Sequence, residues 1–244
     1  MHLLLLFCWL AANNAYAVSP EDVEARLEAV EHLRSTRVAK GIPTISEAER
    51  QKAIRGTVTT GLKSSGSGPS KVYGMAILNA SVAALWAALN DETRQMQYTA
   101  IAYSEIVSGK PCESGRRILQ VLPIPFLTDR WWVGVPKANS KLMRDSGGSV
   151  REFTWSSSVD PSEVTSTSGQ KMIARGAPIG FTNGAWFLVA LDQHNTWVEY
   201  FAATDPGAGV PASIASRLAA RGVRDNFAAM VQFANEGKPS CPIQ

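Results

Sequence analysis

The sequence has 244 residues, of which 45% are hydrophobic, so it is long enough to bury one sizeable core. The formal net charge at pH 7 is only +3, and positive and negative residues are mixed along the chain. There is no dense run of lysine and arginine and no alternation of basic with aromatic residues, so we expect no nucleic-acid partner.

The chain opens with the features of a cleaved export signal. Residues 3–12 are an apolar run that is too short to span a bilayer. Ala15 and Ala17 then form the small-x-small pattern that signal peptidase recognises. We therefore expect residues 1–17 to be removed, the mature chain to begin near Val18, and the protein to be periplasmic or secreted.

Export changes the expected state of the cysteines. Cys8 would leave with the signal, so the mature chain would keep Cys112 and Cys241. In an oxidising compartment such a pair can form a disulfide, which would tie the tail after the last helix to a turn in the sheet. Two unpaired thiols are the alternative, and the sequence leaves this choice open.

The N-terminal part of the mature chain predicts two helices, two strands and a further short helix or turn. Ser19 suits a helix cap, Pro20 suits the first turn, and acidic residues follow them. The next predicted elements are strands at residues 53–62 and 71–78, a helix at residues 80–90 capped by Ser81, and a short helix or turn at residues 91–97. A flexible turn rich in serine and glycine separates the two strands.

A meander of antiparallel strands is predicted for the middle of the chain. Its strands lie at residues 99–107, 116–122, 131–135 and 150–159. Residues 165–176 are ambiguous, because Met172, Ile173 and Ala174 suit a strand, whereas the flanking serine, threonine and glycine residues suggest a loop. The apolar loop at residues 122–127 either folds over the core or, at a cavity mouth, dips into a bilayer or a partner groove.

The C-terminal part of the chain predicts a hairpin followed by a long helix. Strand patterns at residues 185–191 and 196–204 flank the polar tetrad 192–195, which is typical of a hairpin turn. Pro211 suits the first turn of the helix that follows, in which apolar residues recur at roughly helical spacing. A hairpin that feeds such a helix predicts a helix laid across a curved antiparallel sheet, with a hollow between them.

Specific motifs resemble those of START-type lipid-transfer domains. The closing motif is matched by Gly184-Ala-Trp186, Thr196-Trp-Val-Glu-Tyr200 and Asp205-Pro-Gly-Ala-Gly-Val-Pro211, and the proline-rich loop and strand start by Pro123-Ile-Pro125 and Asp129-Arg-Trp-Trp132. Residues 219–227 also resemble the terminal helix of the phosphatidylcholine-transfer branch. We expect one domain at residues 48–236, an N-terminal helix and linker at residues 18–47, and a tail at residues 237–244.

This resemblance implies an α+β helix-grip fold, in which a curved antiparallel sheet wraps around a long C-terminal helix and encloses a hydrophobic cavity. It also implies one lipid or sterol-like ligand, a gate at one end of the cavity, transient membrane contact, a monomer, and neither cofactor nor catalysis. The expected ligand-binding residues are Arg94, Arg130, Trp132, Trp155, Trp186 and Tyr200.

Each of these residues also has a structural interpretation. Arg94 stands in an Asp-x-x-Arg stretch that resembles the phosphate-binding stretch of the branch, although residues 97–98 are Gln-Tyr instead of Trp-Asp. Arg130 either forms a structural pair or points inward to an anionic or carbonyl partner. The tryptophans either fill the core or line the cavity, and alternation along a strand prevents Trp131 and Trp132 from both facing it.

No residue pattern is typical of a catalytic or metal site. The sequence lacks a Gly-x-Ser-x-Gly nucleophile elbow, and the mature chain would keep only His32 and His194, which lie far apart. We therefore predict no catalytic residue and no metal ligand. Two alternatives stay open: a helix-grip enzyme, such as a cyclase or hydrolase of a hydrophobic substrate, and an interaction module whose cavity is packed shut by tryptophans.

Overall fold

The computed structural model describes residues 18–65, 68–210 and 212–242, so the expected export signal at residues 1–17 and the expected helix start at Pro211 lie outside the described residues. The strands are β1 (Thr59–Ser65), β2 (Gly68–Leu78), β3 (Tyr103–Ser108), β4 (Arg117–Leu122), β5 (Arg130–Ala138), β6 (Val150–Ser158), β7 (Ala177–Pro178), β8 (Phe181–Ala190) and β9 (Thr196–Asp205). The α-helices are α1 (Pro20–Ala29), α2 (Glu47–Ile54), α3 (Val82–Asn90), α4 (Glu92–Gln95), α5 (Ser140–Asp145), α6 (Thr167–Arg175) and α7 (Ala212–Glu236), and a 3-10 helix spans Glu31–Thr36.

All the described strands belong to one sheet, in the order β1-β2-β9-β8-β6-β5-β4-β3, with β7 paired to β5 in parallel. The strands from β3 to β9, apart from β7, form the predicted antiparallel meander. The N-terminal hairpin β1–β2 then joins the last strand, with Lys71 opposite Ala203 and Leu78 opposite Thr196. The predicted α+β helix-grip architecture is confirmed.

Helix α7 lies across the concave face of the sheet, where it packs against α3, β1 and β2. The approach to β2 is close at Gly74, because a Cβ atom there would lie 2.5 Å from Val223 Cγ1 and 3.0 Å from Phe227 Cζ. The absence of a side chain at Gly74 therefore allows α7 to pack closely against β2. A hollow remains between α7 and the strands β4, β5 and β6.

The C-terminal end of α7 is tied to the far end of the sheet. Cys112, in the turn between β3 and β4, forms a disulfide with Cys241, 129 residues later, with their Cα atoms 5.5 Å apart. The two cysteines are therefore bridged, which the sequence had left open. Closing so long a loop stabilises the folded state by up to about 4–5 kcal/mol in the loop-entropy description.

The convex face of the sheet is covered by the N-terminal segment. Val23 and Leu27 of α1 and Ile54 of α2 are fully or almost fully buried, and they pack into one apolar cluster with Phe187 and Trp197 of the sheet. Ser19 caps α1 by accepting a hydrogen bond from the Asp22 backbone N–H, as its sequence predicted. The segment is thus an integral layer of the fold.

A buried ionic cluster fastens the same segment to β9. Each carboxylate oxygen of Glu199 is bound by arginine, with Arg34 Nη1 and Arg37 Nη1 both 2.9 Å from Oε2. Arg37 also donates to Glu152 of β6 at 3.2 Å. Burial alone would raise the pKa of Glu199, but the hydrogen bonds and charges of the two arginines lower it from 4.5 to about 2.

Two predicted elements are wrong. The expected strand at residues 53–62 begins only at Thr59, because a capping box between Ser46 and Glu49 starts a helix that runs to Ile54. Residues 165–176 are neither strand nor loop but helix α6, whose first turn is capped by Ser166. Each of these helices has a local cap signal in the sequence. The strand prediction gave more weight to the neighbouring strand-forming residues.

The strand expected at residues 99–107 starts later, at Tyr103. Backbone hydrogen bonds from Tyr98 and Thr99 to the Gln95 carbonyl keep the chain in turns after α4. The helix expected at residues 80–90 is confirmed as α3, with Ser81 as its N-cap.

We expect Gly74→Ala to destabilise the fold by about 1–3 kcal/mol, because the new methyl group forces α7 away from β2. The matched control is Gly222→Ala within α7, where an added Cβ meets no atom within 4 Å. That control should stabilise the protein by about 0.5–1 kcal/mol through helix propensity. Urea unfolding measures both values, and equal stability of the Gly74→Ala variant and the wild type would contradict the close helix–sheet contact.

We expect Glu199 to make the fold acid-sensitive. Because its pKa is lowered from 4.5 to about 2 in the folded state, its stabilising contribution is complete above about pH 4.5 and is lost as the pH falls through 2. The shift corresponds to roughly 3 kcal/mol. Urea unfolding between these pH values should show a shallower pH dependence for Glu199→Gln than for the wild type. The control is Glu28→Gln, an exposed position on α1 away from the cluster, and an unchanged slope in Glu199→Gln would disprove this assignment.

Candidate functional site

A cavity of about 790 Å³ lies between α7 and the concave face of the sheet. This volume is within the range of roughly 300–1,000 Å³ that is typical of small-molecule sites. Its aromatic wall residues are Tyr98, Trp132, Phe153, Trp155, Trp186 and Tyr200, and its aliphatic ones include Val72, Ile118, Leu122, Ile124, Val223 and Met230. The cavity is therefore open rather than packed shut by the tryptophans.

The structure brings four of the expected ligand-binding residues into this wall: Trp132, Trp155, Trp186 and Tyr200. Strand alternation explains which neighbours do not reach it. Trp132 lines the cavity together with Gly134, whereas Trp131 is buried on the other face in an apolar cluster with Ile173 of α6. On β9, Tyr200 faces the cavity while Glu199 belongs to the cluster on the convex face.

Tyr200 is held by three aromatic neighbours. Its ring centroid lies 4.9 Å from that of Trp186, 5.8 Å from that of Trp155 and 6.2 Å from that of Phe227. Gly184 makes room for this arrangement, because a Cβ there would lie 2.4 Å from the Trp155 ring. Burial raises the pKa of the Tyr200 hydroxyl, which therefore stays neutral and can donate a hydrogen bond.

A short polar chain crosses the wall near the mouth of the cavity. The Trp155 indole N–H donates to Thr182 Oγ1 at 3.3 Å, and that hydroxyl is 2.9 Å from Thr204 Oγ1. Trp155 thus has a protein partner for its one polar group. Its orientation is fixed before any ligand binds.

Arg94 and Arg130 are outside the cavity lining. The Arg94 guanidinium donates to the backbone carbonyls of Gly237, at 2.6 Å, and Lys238, just after α7. Its predicted phosphate contact is replaced by this anchoring of the C-terminal tail. An arginine beside exposed backbone carbonyls satisfies helix-end acceptors, and the sequence pattern cannot distinguish that use from phosphate binding.

Arg130 is 4% exposed and binds carbonyls at the other end of α7. It donates to Pro206 at 2.7 Å, Ala208 at 2.9 Å and Thr128 at 2.7 Å. It therefore points inward to carbonyl partners, one of the two possibilities predicted, and the partners belong to the protein itself. Its function is to hold the loop between β9 and α7.

A buried ion pair at the inner end of the cavity was missed in the sequence analysis. Glu92 lines the cavity, and the buried Arg116 donates to it, with Nε 3.0 Å from Oε2. Burial raises the pKa of Glu92 to about 7, although the charge and hydrogen bonds of Arg116 oppose this shift. The two residues stand far apart in the sequence, and no spacing rule pairs them. The only local signal was the pair of acids, Asp91 and Glu92, that follows the apolar helix α3.

The loop between β4 and β5 forms part of the mouth. Ile124 is buried and lines the cavity, so the loop does fold over the core at this point. Phe126, two residues later, is fully exposed and has a positive φ of 65°. On β1, the cavity-lining Leu62 is also 41% exposed. The structure therefore shows the loop folded over the core at Ile124, while contact of its exposed tip with a bilayer or a partner groove stays a prediction.

The described ranges contain no group of three His, Cys, Asp or Glu residues that could hold a metal ion. Nor does any helix in the same part of the chain combine the length and hydrophobicity needed to cross a bilayer.

Several solved lipid-transfer structures share this architecture. The STAR-related lipid transfer protein from Xanthomonas axonopodis has a TM-score of 0.59 at 15% identity, covering 80% of this chain and 98% of its own. The human StAR-related lipid transfer protein 5 has a TM-score of 0.58 at 13% identity, covering 89% and 97%. Human STARD10 has a TM-score of 0.56 at 13% identity, covering 84% and 80%. The chain has the START fold.

At these identities the similarity shows the fold and not the ligand. No protein-family model matches the sequence, and no curated protein matches it significantly. The sequence motifs and the structural neighbours therefore both indicate the helix-grip fold.

Proposed function

We propose that this chain is an exported START-type protein that binds, and transfers, a lipid or sterol-like molecule without catalysis. The main support for this proposal is the cavity of about 790 Å³ with its aromatic and aliphatic wall. Enclosing an apolar ligand there removes its surface from water, at roughly 25 cal/mol for each Å² buried. Binding of this kind needs no reacting group.

The charges around the cavity disfavour an anionic ligand. Among the described residues the lining includes the carboxylates of Glu92, Asp205 and Asp225 but no lysine, arginine or histidine, so an anion would find no cationic partner there. The closing motif and residues 219–227 favour the phosphatidylcholine-transfer branch, but Arg94, at the position that resembles its phosphate ligand, binds backbone carbonyls instead. The proposal therefore does not extend to a phosphocholine headgroup.

Ligand entry takes place at the N-terminal end of α7. The opposite end is held by the disulfide and by Arg94, whereas the start of α7 adjoins the mouth loops at residues 123–129 and 205–210. The loop with the exposed Phe126 would touch a membrane while the cavity opens. A monomer is sufficient for this cycle, since the cavity is built from one chain.

Export to a periplasm or out of the cell is supported by two features of the fold. The disulfide between Cys112 and Cys241 is the kind of bond that persists in oxidising compartments. The capped start of α1 at Ser19 comes two residues after the expected cleavage site at Ala17, so this helix would begin close to the N-terminus of the mature chain.

The alternative of a helix-grip enzyme is favoured by one observation, the pKa of about 7 for Glu92 in the cavity wall. Both carboxylate oxygens of Glu92 are already bound by Arg116, however, which is the arrangement of a structural pair. Recovery of the bound ligand decides between the two functions. A carrier releases its ligand chemically unchanged, whereas an enzyme converts it.

We expect the mature chain, purified gently from its own compartment, to carry a stoichiometric lipid-sized adduct in native mass spectrometry. Gly134→Leu should reduce that adduct roughly tenfold or more, because the new side chain enters the cavity. A Cβ at Gly134 meets its nearest atom only at 3.7 Å, so the variant should fold. The control is Val135→Leu, the next residue on β5, whose side chain points to the opposite face. A folded wild type that carries no adduct and takes none from lipid vesicles would refute the proposed function.

We expect Phe126→Ser to slow lipid uptake from vesicles tenfold to a hundredfold, since burying a phenylalanine contributes about 1.5–3 kcal/mol. Val38→Ser is the matched control, because Val38 is 47% exposed but lies in the N-terminal segment. Vesicle co-sedimentation and transfer rates measure the effect. Equal rates for the two variants would exclude the loop at residues 123–129 as the membrane contact.

A further inference from the structure

Several polar groups in the cavity wall already have protein partners. The Trp155 N–H donates to Thr182, and Glu92 is bound by Arg116. The Gln95 side-chain amide donates to the Ala88 carbonyl at 3.1 Å and to that of Leu89 at 3.2 Å. These groups orient the wall and are not available to a ligand without breaking an existing bond.

Gln120 and Trp132 differ from them. They are directly opposite each other on the neighbouring strands β4 and β5, and both line the cavity. Within residues 18–65, 68–210 and 212–242, neither the Gln120 amide nor the Trp132 indole N–H has a hydrogen-bond partner. Trp132 is also absent from the apolar clusters of the described core, unlike Trp131 and Trp186.

The two polar groups converge over Gly134. A Cβ atom at that position would lie 3.7 Å from Trp132 Nε1 and 3.8 Å from Gln120 Oε1. Because glycine has no side chain, the space above it is open to the cavity. One oxygen atom of a ligand can therefore lie between the indole and the amide.

Leaving such groups without partners in an apolar wall is costly when a ligand expels water from the cavity. The indole N–H can only donate, whereas the amide can both donate and accept. A hydroxyl satisfies both groups at once, since it accepts from the indole N–H and donates to Gln120 Oε1. A carbonyl accepts from the indole N–H, and also from the amide when the Gln120 side chain turns over to present its Nε2 group. Ile118 and Leu122 flank Gln120 on the same face of β4, so the polar spot lies between apolar stretches of wall.

We infer that Gln120 and Trp132 form a subsite that hydrogen-bonds one uncharged oxygen, a hydroxyl or a carbonyl, of a mainly apolar ligand. This inference rests on the proposed binding function and adds the ligand's polar group and its place in the cavity. The two residues select ligands by the presence of that oxygen, while the aromatic wall holds the hydrocarbon part.

The test is competitive uptake of hexadecan-2-ol, hexadecan-2-one and hexadecane, delivered from cyclodextrin and detected by native mass spectrometry. The wild type should prefer the alcohol and the ketone over the hydrocarbon by roughly five- to tenfold, as expected for one or two neutral hydrogen bonds. Gln120→Met and Trp132→Phe should each reduce this preference several-fold. Both should reduce hexadecane uptake less than uptake of the alcohol and the ketone, because each variant removes the polar group but keeps an apolar side chain in the wall.

Trp155→Phe is the matched control, since it makes the same chemical change where the N–H already has a protein partner. It should keep the wild-type preference. An equal loss in Trp155→Phe and Trp132→Phe, or no preference in the wild type, would overturn the subsite while the binding function stands. A wild type that takes up none of the three probes would overturn both.

Discussion

The structure depends on where helix α7 touches the sheet. It packs against β1, β2 and α3, and Gly74 lets Val223 and Phe227 come into direct contact with the β2 backbone. Contact along one side leaves the other side of the curved sheet uncovered. The cavity is the space that remains over β4, β5 and β6. Its width follows from the size of the residues at the contact, since helix–sheet packing is as close as those residues permit.

Two arginines frame this helix without entering the cavity. Arg130 binds carbonyls of residues 206 and 208 just before α7, and Arg94 binds those of residues 237 and 238 just after it. Carbonyls next to both ends of the helix are thus bound by arginine, and the disulfide adds a covalent tie at the C-terminal end alone. Both arginines are therefore occupied by backbone carbonyls, and among the described residues the cavity lining includes no arginine or lysine.

The sequence predicted the sheet, the terminal helix and the aromatic wall because strand alternation and helical spacing act locally. Strand alternation predicts that Trp131 and Trp132 lie on opposite faces of the sheet. Which of the two lines the cavity depends on the direction in which the sheet curves, and only the structure shows that direction. The assignments of Arg94 and the pairing of Glu92 with Arg116 depended on contacts between distant segments, which no local pattern encodes. Helix α6 was missed because Met172 and Ile173 suit a strand, while its cap at Ser166 is a weaker signal.

The position of β2 between β1 and β9 has a consequence for the timing of folding. Strand β2 of the first hairpin also pairs with β9, with Lys71 opposite Ala203. This pairing can form only after residues 196–205 have been synthesised. Contacts across such sequence distances slow folding, because a long loop must close before any stabilising contact forms. A chain still emerging from the ribosome would hold an unfinished sheet edge. Its apolar surface would stay open to other proteins until residues 196–205 are released and pair with β2.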